Sequence, residues 1–339
     1  PDLLIVHDPA GLAMIAALVA KEVPFLLLMA LAALPQTDAE RLTRVATGLG
    51  YGRVSGFFFA VLPRLYPQLR LPIFAVIAFA TSTVEVALVL GPTTPAPLAV
   101  RLVGWMGDPD LTRRFSASAG ALLQVGVTGI AMLAWFGLET CVGAVGRTVI
   151  TSGHRRPRDG IARGLGAGLA LLCAGLVGLG LLSLAVWSIA DVWRFPDALP
   201  SRVSLDPWTA NWPGTRSLLA VTVAVALLAT LVATAITLAC LENESRTGRA
   251  PGARVLSLLY LPIVVPQVSF LFGLQVLMLA AGFGPSLAAV AFAHLIFVLP
   301  YVLLSLGDTW RSLDPRYGEI AAALGASDAR IFGRVRLPL

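Results

Sequence analysis

Long apolar runs separated by short polar segments set the pattern of this chain. Seven stretches of mostly apolar residues stand out, at roughly 10–34, 71–91, 117–139, 165–190, 216–241, 255–281 and 286–307. A helix rising 1.5 Å per residue needs about 20 such residues to cross a bilayer. The runs show no two-residue alternation, and open sheet edges are excluded from lipid because their backbone groups go unpaired. The pattern predicts an all-α, polytopic membrane protein with about seven spans. Pro24, Pro262, Pro266 and Pro300 fall inside spans, where each removes a ladder hydrogen bond and predicts a kink. Gly164 and Gly168, four apart in the fourth span, predict close approach of another helix.

Composition supports this reading. Charged residues are 13% of the chain, hydrophobic residues 57%, and the mean hydropathy is +0.82; soluble domains carry about 25% charged residues. The net charge of +6 would suggest nucleic acid in a soluble protein. Here the arginines sit in short loops between apolar runs. Segments 35–70, 140–164, 242–254 and 308–339 hold 18 arginines, and the alternate segments hold 6. By the positive-inside rule the first set is cytoplasmic, and no nucleic-acid partner is expected. Segment 191–213, with Trp193, Trp208, Trp212 and four prolines, reads as an outer interfacial loop. Cys141, Cys173 and Cys240 lack metal or disulfide spacing and read as packing residues.

Two distant segments share a layout. Pro9 and Pro24 stand 15 apart, as do Pro285 and Pro300; Gly50 precedes Pro63 by 13 residues, as Gly325 precedes Pro338. The copies are offset by 276 residues at the prolines and 275 at the glycines. They lie on the first and seventh spans, so their directions match and the repeat is parallel, unlike the inverted repeats of many secondary transporters. The units divide at 1–150, with three spans, and 151–339, with four. The chain stops inside a motif, and the repeat predicts a longer parent of about 12 helices, with about three before residue 1 and two after residue 339.

The second copy reads E-I-A-A-A-L-G-A-S-D-A-R-I-F-G-R-V-R-L-P from Glu319 to Pro338. It predicts a short helix stopped near Gly325, a basic second helix with Arg330, Arg334 and Arg336, and Pro338 opening the next span. This segment resembles the cytoplasmic EAA loop of ABC-importer permeases. The resemblance implies the type I, MetI-like permease fold and a fused two-unit permease. It places Glu319 and Ala321 on a helix that docks on an ATPase subunit and Gly325 at the turn. Leu337 and Pro338 would link the loop to the next span. The first copy, residues 44–63, is degenerate: Ala46, Gly50, Leu62 and Pro63 match, but Arg44 occupies the glutamate position. An ordinary solvated basic hairpin is the alternative for both loops. The stretch from Pro72 to Gly91 also resembles fused permeases for thiamine, ferric iron and sulfate-type solutes, and the lean within that group is toward thiamine.

The resemblance implies an ATP-binding-cassette ATPase dimer on the cytoplasmic face, a periplasmic solute-binding protein outside, and an inner-membrane location within lipid. The sequence has no G-x-x-x-x-G-K-[ST] loop, so ATP belongs to a separate chain. No catalytic constellation, metal cluster or cofactor of its own is expected. Glu85 falls 13 residues into the second span, where an isolated carboxylate costs about 2.5–3.5 kcal/mol. It reads either as a lining residue of the solute path or as a paired structural glutamate. Gln267 and Gln275 are further path candidates, and His294 reads as a satisfied packing residue. Lys21 and Glu22 lie mid-span and give some support to an alternative, an ion-gradient-driven secondary transporter.

Overall fold

A computed structural model describes residues 6–153, 155, 159–194, 196–284 and 286–338. Pro285, one of the repeat prolines, lies outside the described residues. In chain order the elements are α1 (Leu12–Ala33), α2 (Ala39–Gly48), α3 (Arg53–Ser82, one continuous helix containing a π turn at Phe57–Val61) and α4 (Glu85–Leu90). Next come α5 (Leu98–Gly107), α6 (Arg113–Thr151), α7 (Gly160–Ser188), the strands β1 (Ala190–Val192) and β2 (Arg202–Val203), and α8 (Asp206–Thr247). The last are α9 (Ala253–Val264), α10 (Gln267–Ala280), α11 (Leu287–Arg311), α12 (Pro315–Ala323) and α13 (Asp328–Ile331), which runs into a second π turn at Phe332–Arg336. Six helices are long and apolar enough to cross a membrane, or seven if α9 and α10 count as one span. The fold is all-helical and polytopic, with one small antiparallel β ribbon added between α7 and α8.

Several expected boundaries move. The second span begins at Arg53 and not near residue 71, because Pro67 and Pro72 lie inside α3 and leave it unbroken. It also ends earlier, at Ser82. The hydroxyl of Thr81 donates to Ile77 O and Ala78 O, that of Ser82 donates to Ala78 O, and Thr83 is extended (φ −65°, ψ 131°). Such back-bonding hydroxyls compete with the helical ladder. The expected sixth span is broken at Pro266, where α9 and α10 meet at 105°. The tryptophan- and proline-rich stretch is not all loop: Pro207, Trp208, Trp212 and Pro213 lie in the first turns of α8. At 42 residues α8 is about 63 Å long, well beyond the ~30 Å hydrocarbon layer.

By packing, the chain forms two compact units, one of Pro1–Asn211 with Val264–Phe272, the other of Trp212–Ile263 with Gly273–Leu339. This differs from the division of the repeat near residue 150, because α7 packs on α1 and so joins the first three spans. In the first unit α3 packs on α1 and α6, and α5 packs on α6. Val61, Leu65, Leu102 and Ala117 are fully enclosed there. Arg70 of α3 faces Glu139 of α6 at 3.3 Å and lies over the Phe74 and Phe136 rings. In the second unit Leu241, Leu303 and Trp310 form the core, with Leu256, Tyr260 and Phe332 against it. Gly164 and Gly168 have no atom within 4 Å of a built Cβ position, so the expected close helix partner is not present among the described residues. Of the cysteines, Cys173 is buried, whereas Cys141 and Cys240 are exposed.

The α5–α6 crossing depends on Gly120. A methyl group there would lie 2.6 Å from Leu102 Cδ2 and 3.1 Å from Trp105 Cζ3. Gly120→Ala should destabilise the first unit by about 1–3 kcal/mol through overpacking, read as a lower thermal midpoint in detergent. Gly120→Ala combined with Leu102→Ala should cost less than the two single changes added together.

Candidate functional site

The two EAA-like segments close their first limbs with the same turn. In the first, Leu49 N donates to Val45 O (3.1 Å), Gly50 N to Thr47 O (3.0 Å) and Tyr51 N to Ala46 O (3.1 Å). In the second, Leu324 N donates to Ile320 O (3.1 Å), Gly325 N to Ala322 O (2.9 Å) and Ala326 N to Ala321 O (3.0 Å). Every atom pair is offset by 275 residues. This is a Schellman stop, with a left-handed residue closing the helix. Gly50 has φ +86° and Gly325 φ +80°, values at which a Cβ is strained. Ala46 and Ala321 therefore supply the acceptor carbonyl of the turn, and the glycines supply its conformation.

The Leu-Pro pair also has a structural reason. A proline at 63 or 338 cannot donate to the ladder. Just before it the register slips to i→i+5: Leu62 N donates to Phe57 O, and Leu337 N to Phe332 O at 3.0 Å. The slip makes a π turn in each copy. Pro63 thus does not open a helix, the role expected of its counterpart Pro338. It continues one that began at Arg53, so the second limb of the first hairpin and its membrane span are a single rod. For the second copy the description stops at Pro338.

The first limbs α2 and α12 each expose an apolar stripe. Val45 and Leu49 are exposed in one, and Tyr317, Ile320 and Leu324 in the other, with Leu324 84% exposed. Val45 and Leu49 stand at the positions of Ile320 and Leu324, and the half-buried Leu42 stands at that of Tyr317. Glu319 is exposed on α12, whereas its counterpart Arg44 lies 3.6 Å from Glu40 on α2.

An ion-pair cluster anchors the second hairpin; only its Glu242–Arg246 pair, four residues apart, follows a local spacing. Glu242, near the end of α8, accepts from Arg246 Nε at 2.7 Å and from Arg336 Nη1 at 2.7 Å. Arg246 reaches Asp328 at 3.5 Å. Arg311 of α11 makes a two-pronged contact with Glu244 at 2.9 and 3.1 Å, and Trp310 Nε1 donates to Ser245 Oγ at 3.1 Å. Glu242, Glu244 and Arg246 alternate along one helix end, which reads in sequence as an ordinary charged terminus.

The candidate path residues lie on two elements, Glu85 on α4 and Gln267 and Gln275 on α10. Glu85 is not inside a continuous span; it opens α4 after the break at Thr83, is exposed, and accepts from Val84 N at 3.0 Å. Gln267 and Gln275 are both exposed on α10, and His294 Nδ1 bonds Val290 O at 2.9 Å. Lys21 Nζ sits 3.6 Å from the centroid of the Phe79 ring. Sequence reasoning missed a buried polar group beside this place. Gln124 Nε2 donates to Thr81 O at 2.8 Å, and Thr128 Oγ1 lies 2.8 Å from Thr81 Oγ1. The four-residue spacing of Gln124 and Thr128 was the available signal.

Over 333 residues, 98% of its length, the chain is 28% identical to the inner membrane ABC transporter permease protein YnjC of Escherichia coli strain K12. The chain is similar to an ABC-transporter permease from end to end. It spans 59% of the length of that relative. It is also 31% identical over 114 residues to the spermidine/putrescine transport system permease protein PotC of Haemophilus influenzae, which covers 34% of this chain and 43% of the relative. The Escherichia coli PotC protein is 29% identical over 85 residues. No family model matches the chain, and neither does a solved structure.

The Glu242–Arg336 contact is a charge-assisted pair of two largely buried side chains. A double-mutant cycle with Glu242→Ala and Arg336→Ala should return a coupling of about 1 kcal/mol, measured from thermal unfolding in detergent. A coupling near zero would show that the pair does not hold the hairpin.

Proposed function

We propose that this chain serves in the membrane permease of an ATP-binding-cassette importer in the bacterial inner membrane, passing a small solute while a separate ATPase dimer hydrolyses ATP. The observation that carries this is the pair of hairpins that share one Schellman turn, each exposing an apolar stripe on its first limb. An apolar helix face set beside charged residues is the form in which a helix fills a groove on another protein. Two copies of one grip suit a partner that is itself a pair of like subunits. The arginine bias puts both hairpins on the cytoplasmic side, and a periplasmic binding protein would deliver the solute to the other.

In this reading Glu319, Ala321 and Gly325, with Ala46 and Gly50, form the docking hairpins, and Leu62–Pro63 and Leu337–Pro338 couple them to the spans. The chain is catalytically inert and carries no cofactor; the nucleotide is the partner's. Glu85, Gln267 and Gln275 remain candidates for the solute path. The similarity to YnjC along the chain and to PotC over part of it supports the permease class and leaves the cargo unassigned.

Co-purification of the parent protein with its ATPase tests the reading. Leu324→Asp, which puts a charge in the exposed stripe, should weaken capture at least tenfold. Gly325→Pro should abolish it, because proline can neither adopt φ +80° nor donate to Ala322 O. Solute uptake by proteoliposomes that contain no ATPase would overturn the proposal and favour a gradient-driven carrier.

A further inference from the structure

The first hairpin departs from the second at the start of its second limb. The second copy opens this limb with Ser327 and Asp328, whose carboxylate sits in the first turn of α13. At the same positions the first copy has Gly52 and Arg53. Gly52 has no side chain to cap the helix, and Arg53 puts a cation at the positive end of the helix dipole. The missing carboxylate comes from elsewhere in the chain. Asp159 Oδ2 accepts from Val54 N, and from Ser55 N at 3.3 Å. These are the second and third amides of α3, the two that an N-cap side chain ordinarily satisfies. Arg155 lies over the Tyr51 ring, 5.8 Å from its centroid, and its Cδ is 3.6 Å from a Cβ built at Gly50. No atom approaches the corresponding position at Gly325 within 4 Å among the described residues.

We infer that Asp159 is a positioning residue for coupling: it caps the degenerate hairpin from a distance and fastens α3 to the start of α7. Asp159 is itself the residue that precedes α7, and its side chain serves α3 rather than its own helix. A displacement of the first hairpin is then passed to two membrane helices, α3 by continuity and α7 through this carboxylate. The second hairpin has a different tether, Arg336 on Glu242 of α8. The inference rests on the coupling role proposed above, but the cap can be measured without any ATPase.

The experiment is hydrogen exchange on the full-length parent in lipid nanodiscs, followed by reconstitution with its ATPase. Asp159→Ala should speed exchange of the amides at 54–56 about fivefold and leave those at 326–331 and across α6 unchanged. Adding Gly52→Ser, whose backbone (φ −67°, ψ 170°) already has N-cap geometry, should restore slow exchange by supplying a local cap. Asp159→Asn, which keeps an acceptor oxygen and loses the charge, should give a smaller change of the same sign and serves if the alanine variant unfolds. In the reconstituted system Asp159→Ala should lower the solute moved per ATP at least threefold. Unchanged exchange at 54–56 in both Asp159 variants would overturn the cap. Faster exchange with undiminished transport per ATP would overturn the positioning role. A parent that never captures an ATPase would instead break the proposed function and leave the exchange result standing.

Discussion

In a medium with no water to bond to, every backbone N–H and C=O must find a partner within the protein. Long helices meet this requirement along their length and fail it at every end and break. The informative places in this chain are those interruptions. At Thr83 the ladder stops where the backbone turns extended, hydroxyls of Thr81 and Ser82 bond the carbonyls of the last turn, and the Gln124 amide covers the carbonyl of Thr81. At Pro63 the ladder continues by slipping one residue, and the same slip precedes Pro338. At the N-terminus of α3 an aspartate from another part of the chain accepts the free amides.

The same constraint explains how two segments of different sequence build one hairpin. The Schellman stop needs a carbonyl, a residue free to take positive φ, and an amide beyond it. Ala46, Gly50 and Tyr51 meet those needs as well as Ala321, Gly325 and Ala326 do. Charge at the exposed face is not among them, so Arg44 can replace the acidic residue found at 319 without altering the backbone. Replacement of Ser327–Asp328 by Gly52–Arg53 does touch the requirement, and that is where a compensating carboxylate is found.

Much of this was legible in the sequence, and the failures have physical causes. Apolar run length located the spans, because burial in lipid demands about 20 apolar residues wherever a helix crosses. It misplaced the start of α3, since Arg53, Arg64 and Arg70 look like loop residues when counted. In the structure Arg70 is held by Glu139 and two phenylalanine rings inside a continuous helix. The glycine and Leu-Pro spacing fixed both hairpins because those residues act through the backbone, where spacing is all that matters. The tethers were invisible for the opposite reason. Asp159 and Val54 are separated by 105 residues, and Glu242 and Arg336 by 94; no local pattern records such a pairing.

The repeat is kept in the turn geometry of the hairpins and relaxed between α1 and α11, and this division has a physical logic. At the offset of 276, Lys21 and Glu22 of α1 face the positions of Phe297 and Val298 in α11, although Pro24 and Pro300 are retained. Charge at membrane depth costs several kcal/mol on the larger estimates and about 2.5–3.5 kcal/mol on the smaller, so only one copy carries it. On the proposed function, a motor made of two like subunits needs two like grips. A solute has no such symmetry. On that reading the spans are free to specialise, as α1 does with Lys21 and Glu22 where α11 has Phe297 and Val298. The turn geometry of the hairpins is kept while the residues of α1 and α11 diverge.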